Sequence, residues 1–225
     1  MNRILFLLLI FTFSCAEREL QLPVTTTNEI TEVLDVSPIY IFYDAETGEA
    51  DFNRNNMIST TNWLVNIDKR LTLKQILPHL QYLQEKRRGD GMHKNENAKN
   101  YFTCFNEETK NLSFVEFTKM EYHEGSSTDY LSKISGLNNS KTIITIKVNS
   151  INDITIVNPY SEKLSSKTNI SGLLSTLNQI NNQENLIYLN FPLNLNFQDY
   201  IAIKTKLLQI DFDSINISEK EFIHN

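Results

Sequence analysis

Hydrophobic and polar residues follow their most regular pattern in the C-terminal half of the chain. Apolar residues alternate with polar ones over 142–148, and 154–157 returns after a polar turn, which predicts a β-hairpin. Apolar residues at helical spacing over 170–180 then predict a helix, with Thr168 or Asn169 as its cap.

The hairpin and helix are followed by a compact strand–helix–strand pattern. Leu186–Phe191 predicts a strand that ends at Pro192, Asn196 caps a second helix, and 215–217 predicts a last strand. So short a crossover is expected to place the two strands parallel. The pattern over 141–225 therefore predicts a ββαβαβ sheet with two helices on one face.

The first half predicts one long helix among strands. Thr72 and Gln75 have the spacing of a capping box, and apolar residues continue on one helical face to about Arg87. Pro78 lies inside this helix and predicts a kink. Strands are predicted around the helix at 39–43, 61–67, 101–105 and 112–117, the last extending toward Tyr122.

The chain begins with a short apolar run at Ile4–Phe13, behind the positive charge of Arg3. The run is too short to span a bilayer, which takes about 20 apolar residues, but it suits a secretory signal. Because Ser14 and Cys15 follow directly, the pattern predicts a bacterial lipoprotein signal with lipid attached to Cys15. The alternative is an ordinary signal peptide with an unrelated cysteine.

Two polar stretches separate the predicted modules. Residues 15–37 predict a tether that could extend about 70 Å, and two Gly/Ser-rich turns predict a linker over 125–140. The predicted fold class is α+β with two small modules. The chain is divided into a signal peptide at 1–14, a tether at 15–37, an N-terminal module at 38–124, a linker at 125–140 and a C-terminal module at 141–225.

Charge and cysteine content narrow the classes of partner. Removing residues 1–14 takes away Arg3 and no acidic residue, which leaves 20 basic and 27 acidic side chains and a net charge of −7. This balance argues against nucleic acid as a partner. If Cys15 carries lipid, Cys104 has no cysteine to pair with, and its apolar neighbours predict a buried core thiol.

The order of elements over 141–225 resembles the periplasmic domain of the ExbD/TolR family, partners of the ion-driven motors that power outer-membrane transport. The resemblance rests on the hairpin Ile143–Val157, the helix after Lys167, the strand Leu186–Leu189, the helix through Tyr200 and the closing segment Glu221–Ile223. It implies a binding module that pairs with envelope proteins or with a second copy of itself.

The chain departs from this family at its N-terminus. Family members have a full transmembrane helix with an acidic residue that takes part in ion flow, whereas Ile4–Phe13 is short and contains no acid. No proton-coupling role is therefore carried over. The sequence from Val65 to Leu77 is weakly similar to that from Val157 to Leu174, which raises the hypothesis that the first module is a diverged copy of the second.

Residues with catalytic or ligating chemistry are scattered. The four histidines are widely spaced, and no phosphate-binding loop, nucleophile elbow or metalloprotease motif is present. Glu121 and His123 would point the same way on a strand and, with Glu124, could offer metal ligands, but a solvated strand end is the favoured interpretation. Trp63 is expected in the core. The sequence predicts no metal, no cofactor and no catalytic residue.

The polar segment 87–100 has no apolar periodicity, and a surface loop is favoured over a recognition loop.

Two functions from different classes remain open. The first is a lipid-anchored envelope protein, facing the periplasm or the cell surface, that binds protein partners and serves as an accessory of an ExbB/ExbD/TonB-type transport system. The alternative is a lipoprotein enzyme, such as a hydrolase, with a site between the modules that would gather His79, His93 or His123 with carboxylates. A purely structural spacer is a third possibility.

Overall fold

The computed structural model describes residues 18–26, 30–89, 95–133, 142–159, 161, 164–180, 185–210 and 215–225. Within these ranges the chain forms two six-stranded sheets and four helices, which confirms the predicted α+β class of two modules. The helices are α1 (Leu73–Arg88), α2 (Ser127–Lys133), α3 (Leu173–Asn178) and α4 (Phe197–Leu208).

Sheet 1 belongs to the first half of the chain. Its strands are β1 (Val24–Thr25), β2 (Val36–Tyr43), β3 (Ala50–Asn53), β4 (Asn62–Ile67), β5 (Asn100–Asn106) and β6 (Asn111–Glu116). The spatial order is β3-β2-β4-β5-β6, with β1 beside the end of β5. The strands β2, β4 and β5 run parallel, while β3 and β6 pair antiparallel at the two sides.

Sheet 2 contains most of the second half. Its strands are β7 (Glu121–Glu124), β8 (Thr142–Ser150), β9 (Asp153–Val157), β10 (Ser165–Thr168), β11 (Asn185–Pro192) and β12 (Ile215–His224). They lie in the order β10-β9-β8-β11-β12-β7. The predicted hairpin corresponds to β8 and β9, and the strands around α4 pair in parallel as expected.

The long helix α1 forms as the sequence predicts. The side chains of Thr72 and Gln75 cap its first turn as a capping box, and Pro78 lies within a helix that continues to Arg88. Its apolar side chains at helical spacing are buried, and they belong to the same continuous core as Trp63, Val65 and Ile67 of β4. These helix residues are Leu73, Ile76, Leu77, Leu80 and Leu83.

The predicted tether and linker both contain regular structure. Val24–Thr25 of the predicted tether pairs with β5, and Pro23 is buried. In the predicted linker, Ser126 caps α2, since its Oγ accepts the Asp129 N–H at 3.1 Å. The strand β7, expected as an extension in the first module, is the edge of sheet 2 because it pairs in parallel with β12.

The helix expected at 170–180 is shorter than its apolar spacing indicates. Ser165–Thr168 forms β10 against β9, and α3 begins only at Leu173, after Gly172. The Asn169 side chain accepts the Gly172 N–H at 2.9 Å, and this local turn replaces the first helical turn.

The two sheets repeat one topology. In each, a hairpin (β2–β3 or β8–β9) is followed by a strand (β4 or β11) parallel to its first strand, then by a helix and a further parallel strand. The counterpart of α1 is therefore α4, whereas the sequence similarity had matched it with the region of α3. This shared order supports the hypothesis of an internal duplication.

The repeated units meet through the segments before their helices. Leu73 N–H donates to the Leu195 carbonyl at 2.8 Å, and Phe197 N–H donates to the Leu71 carbonyl at 2.7 Å. Because Leu73 and Phe197 each open a helix, these two bonds are reciprocal, as around a twofold axis. Buried residues from both sheets belong to a single hydrophobic core.

Across the ranges that the structure describes, every helix is too short or too polar to cross a membrane.

Candidate functional site

A buried ionic cluster lies where β7 meets α4 and β12. The Glu221 carboxylate is fully buried and accepts a hydrogen bond from the Tyr200 hydroxyl at 2.7 Å. Its other oxygen accepts a short hydrogen bond from Lys204 Nζ. Tyr200 and Lys204 are one turn apart on α4, so the helix presents both donors to one carboxylate.

The first half of the chain completes this cluster. Tyr122 of β7 lies directly beside Glu221 in the parallel ladder, and Met120 Sδ is 3.6 Å from Lys204 Nζ. Burial, and then the charge of Glu221, raise the pKa of both Tyr122 and Tyr200 well above the ordinary value of a phenol. Both phenols are therefore neutral hydroxyls across the physiological range.

The cluster joins β7 to α4 and β12, since Tyr122 and Glu221 are neighbours in the ladder and Lys204 and Tyr200 bind Glu221. A buried pair is costly to desolvate, and it favours one specific arrangement more than it adds stability. Of these residues, Tyr122 alone borders a described cavity, whose other lining residues lie along α1. The arrangement therefore acts as a structural joint between the two halves.

The residues considered as metal ligands lie on the opposite face of sheet 2. Glu121 and His123 point the same way, as the strand period predicted, with 3.3 Å between Oε2 and Nε2. Lys220 Nζ pairs with the same Glu121 oxygen, and the bonds from Lys220 and His123 lower the Glu121 pKa against its burial. Glu124 is exposed at the end of the strand.

An aromatic layer surrounds His123 and is covered by α2. The His123 ring stacks on Phe222 with 5.5 Å between centroids, and Tyr130 of α2 lies 5.3 Å from Phe222. Tyr188 contacts both Tyr130 and Phe222. The Asn190 side chain binds both the N–H and the hydroxyl of Ser127, which holds the start of α2 on this face.

The described histidines do not converge on one site. His79 packs on Phe52 of β3, and burial followed by the nearby Arg54 charge lowers its pKa. His224 lies beside the C-terminus, where its ring contacts the Asn225 carbonyl. His93 lies outside the described residues. Among the residues described, no group of three or more metal-ligating side chains is present.

Two described cavities lie between an element of the sheet 1 unit and an element of the sheet 2 unit. One, of about 280 Å³, lies between β1 and α4 and has Lys206 as its ionisable side chain. The other, of about 540 Å³, lies between α1 and β7 and has Glu85 and Arg88. Neither lining contains a histidine or a carboxylate pair, so the enzyme hypothesis gains no specific support from these cavities.

The two cysteines and Trp63 are the remaining residues for which the sequence predicts a role. Cys15, the predicted lipid attachment point, lies outside the described residues. Cys104 is fully buried in β5, and desolvation raises its pKa to about 12, which makes it the inert core thiol that its neighbours predicted. Trp63 is a core residue, as expected.

The segment 87–100, predicted as a surface loop, begins with a buried side chain. Arg87 donates to the Asn100 side chain at 2.8 Å and to the carbonyls of Ser59 and Thr61, and its guanidinium stacks 3.7 Å from the Trp63 ring centroid. Residues 90–94 of this segment lie outside the described residues. Its first residue thus has a structural role.

Sequence reasoning missed the buried cluster, although a signal for it was present. Lys204 falls on the apolar side of the predicted second helix, and Glu221 directly precedes Phe222 and Ile223. A charged residue at a core position must be paired. Which partner it finds depends on tertiary contacts.

Comparisons with protein-family models, with curated proteins and with solved structures gave no match to this chain.

Proposed function

We propose that this chain is a lipid-anchored protein of the bacterial envelope that binds other envelope proteins, as an accessory of an ExbB/ExbD/TonB-type system without its own ion-conducting helix. The observation that carries the proposal is the edge strand β10 of sheet 2. Edge strands offer unpaired backbone groups that a partner strand can extend.

Backbone geometry identifies the groups that β10 offers to a partner. Asn158 N–H donates to the Leu164 carbonyl at 3.0 Å, so this pair is hydrogen-bonded in the antiparallel ladder of β9 and β10. Pairs alternate along such a ladder. The N–H and C=O groups of Ser165 and Lys167 therefore point away from β9, toward the side of β10 on which no described strand lies.

The surroundings of this edge also suit a partner. Leu164, which precedes the strand, is 62% exposed, and Ser165 and Lys167 are also exposed. The element order around β10, a hairpin followed by strand–helix–strand, supports the resemblance of 141–225 to the ExbD/TolR periplasmic domain. Binding through backbone groups requires no catalytic constellation.

The test is photo-crosslinking in intact cells, with a photoreactive amino acid at Lys167 or, as a control, at Asn97, followed by identification of the products. Recovery of ExbB-, ExbD- or TonB-like proteins from position 167 and not from 97 is the expected result. Products that contain only this chain, or none, would contradict the accessory role.

A proline substitution separates edge binding from loss of fold. Lys167→Pro removes an N–H that points away from β9 and leaves the hydrogen bonds to β9 in place, and edge strands tolerate proline at such positions. Lys167→Ala is the matched control because it keeps this N–H. If the partner binds by strand addition, its recovery should fall at least tenfold with Lys167→Pro and stay unchanged with Lys167→Ala, while both variants keep the same thermal stability. Equal recovery with both variants would rule out this edge.

A further inference from the structure

The N-terminal segment joins the folded body almost directly after Cys15. Arg18 pairs with Asp51 of β3, and its guanidinium lies 5.6 Å from the Phe42 ring centroid. Gln21 N–H then donates to Asp68 at 3.1 Å, and Gln21 C=O accepts the Lys69 N–H at 2.8 Å. The predicted tether is therefore already bound to the folded body at Arg18 and Gln21.

These contacts limit how far the body can lie from a lipid on Cys15. Even a fully extended chain spans about 10 Å from Cys15 to Arg18 and about 20 Å from Cys15 to Gln21. A compact domain of this length is about 40 Å across. Because the reach is shorter than the body, the side that carries Arg18 and Gln21 must face the membrane.

The side that carries Arg18 contains a cavity of about 490 Å³ at the carboxyl end of β2. Tyr43 forms part of its wall, with the Arg70 guanidinium 4.6 Å from the ring centroid. Backbone N–H groups of Glu46 and Thr47 lower the Asp44 pKa, so this carboxyl is charged at neutral pH. Asp44 and Arg70 also line the cavity, and the other lining residues are Arg18, Glu19, Phe42, Ala45, Glu46 and Asp51.

The cavity lining combines both signs of charge with aromatic rings. Two arginines and four carboxylates give it a net charge of −2, which opposes binding to anionic lipids. Arginine suits a phosphate, while carboxylates and aromatic faces suit an ammonium group. A zwitterionic phospholipid headgroup carries both.

We propose that this surface, centred on Arg18, Tyr43, Asp44 and Arg70, rests on the membrane and contacts zwitterionic phospholipid headgroups. The inference rests on the proposed lipid attachment at Cys15. It assigns the orientation of the whole molecule: sheet 1 meets the membrane with the carboxyl ends of its parallel strands, and the opposite end of that sheet points away.

The test uses the lipidated chain in phosphatidylethanolamine–phosphatidylcholine vesicles that contain a headgroup quencher. A fluorophore is attached to Ala45→Cys on the proposed surface or to Asn97→Cys near the amino ends of β4 and β5, both exposed positions. Cys104 does not compete for the label, since it is fully buried. Quenching at position 45 should exceed that at 97 severalfold, and equal or reversed quenching would overturn the inference.

A flexible insert of about 20 residues after Ala16 is the matched control. It lengthens the reach beyond the size of the body, and quenching at position 45 should fall to the level at 97 while the protein stays on the vesicles. Unchanged quenching would refute the role of the short chain. Mass analysis of the N-terminal peptide tests the anchor separately: an unmodified Cys15 would refute the proposed function, whereas a lipidated Cys15 with no quenching difference would refute only this orientation.

Discussion

Asp68 shows how one carboxylate can hold a loop and the N-terminal segment together. It is fully buried, its two oxygens bind the Arg70 guanidinium at 2.8 and 2.7 Å, and it accepts N–H groups from Arg70 and Gln21. Burial alone would raise the Asp68 pKa, but these bonds together lower it below the ordinary value. The charged form is therefore the one that folding favours.

We expect Asp68→Asn to remove a pH-dependent part of the stability. A lowered folded-state pKa contributes stability that is present above the unfolded value of about 4 and is lost as pH falls through the folded value. Asp68→Asn should lower the free energy of unfolding by about 2 kcal/mol at pH 7. It should also make that free energy decline less steeply below pH 4, as measured by urea unfolding. Glu46→Gln on the exposed turn is the control. If Asp68→Asn showed the same pH dependence of the free energy of unfolding as the wild type, the assignment to Asp68 would be contradicted.

At the scale of elements, the C-terminal end of α1 is fixed by a cation with no described carboxylate partner. Burial lowers the pKa of Arg87 to about 10, so it remains charged at neutral pH. Its hydrogen bonds join α1 to the segment before β4 and to the first residue of β5. One side chain thus connects the helix to both strands beside it.

Arg87→Ala should therefore destabilise the protein by about 3 kcal/mol, because buried carbonyls lose their donor and Trp63 loses its cation. Arg87→Lys should recover only part of this, since an ammonium group cannot reproduce the planar fork. The adjacent, exposed Lys86→Ala should change the free energy of unfolding by less than about 0.5 kcal/mol. Equal losses for Arg87→Ala and Lys86→Ala in chemical unfolding would disprove the role.

At the scale of the whole molecule, two units of the same topology share one core and a reciprocal pair of backbone bonds. The buried Lys204–Glu221 pair adds a joint at which β7, from the first half, is held on sheet 2.

The joint can be measured with a double-mutant cycle. Glu221→Gln leaves Lys204 buried without its charge partner, and Lys204→Met leaves Glu221 buried without its charge partner. Each single variant should lower the free energy of unfolding by about 3–5 kcal/mol. The double variant should lose much less than the sum, because neither charge is left alone. Losses that add within about 0.5 kcal/mol would show that the two groups are not coupled.

Local signals were enough to predict the helix α1 with its capping box, the hairpin β8–β9, the strand–helix–strand around α4, and the buried Cys104 and Trp63. Their periodicity and caps depend on neighbours a few residues apart. The cap of α2 also has a local signal, because Ser126 and Asp129 are spaced as a helix cap requires. The Gly- and Ser-rich residues around it nevertheless predict a linker and not a helix.

The positions of the short segments depend on contacts with distant parts of the chain. Val24 is held by both amide atoms of Gln198, at 2.7 and 2.9 Å, across 174 residues of sequence. Likewise β7 pairs with β12, and Glu221 finds Lys204 and Tyr200. Strands of two to four residues carry too little pattern to indicate a partner, because their stability comes from hydrogen bonds and burial supplied by distant parts of the chain.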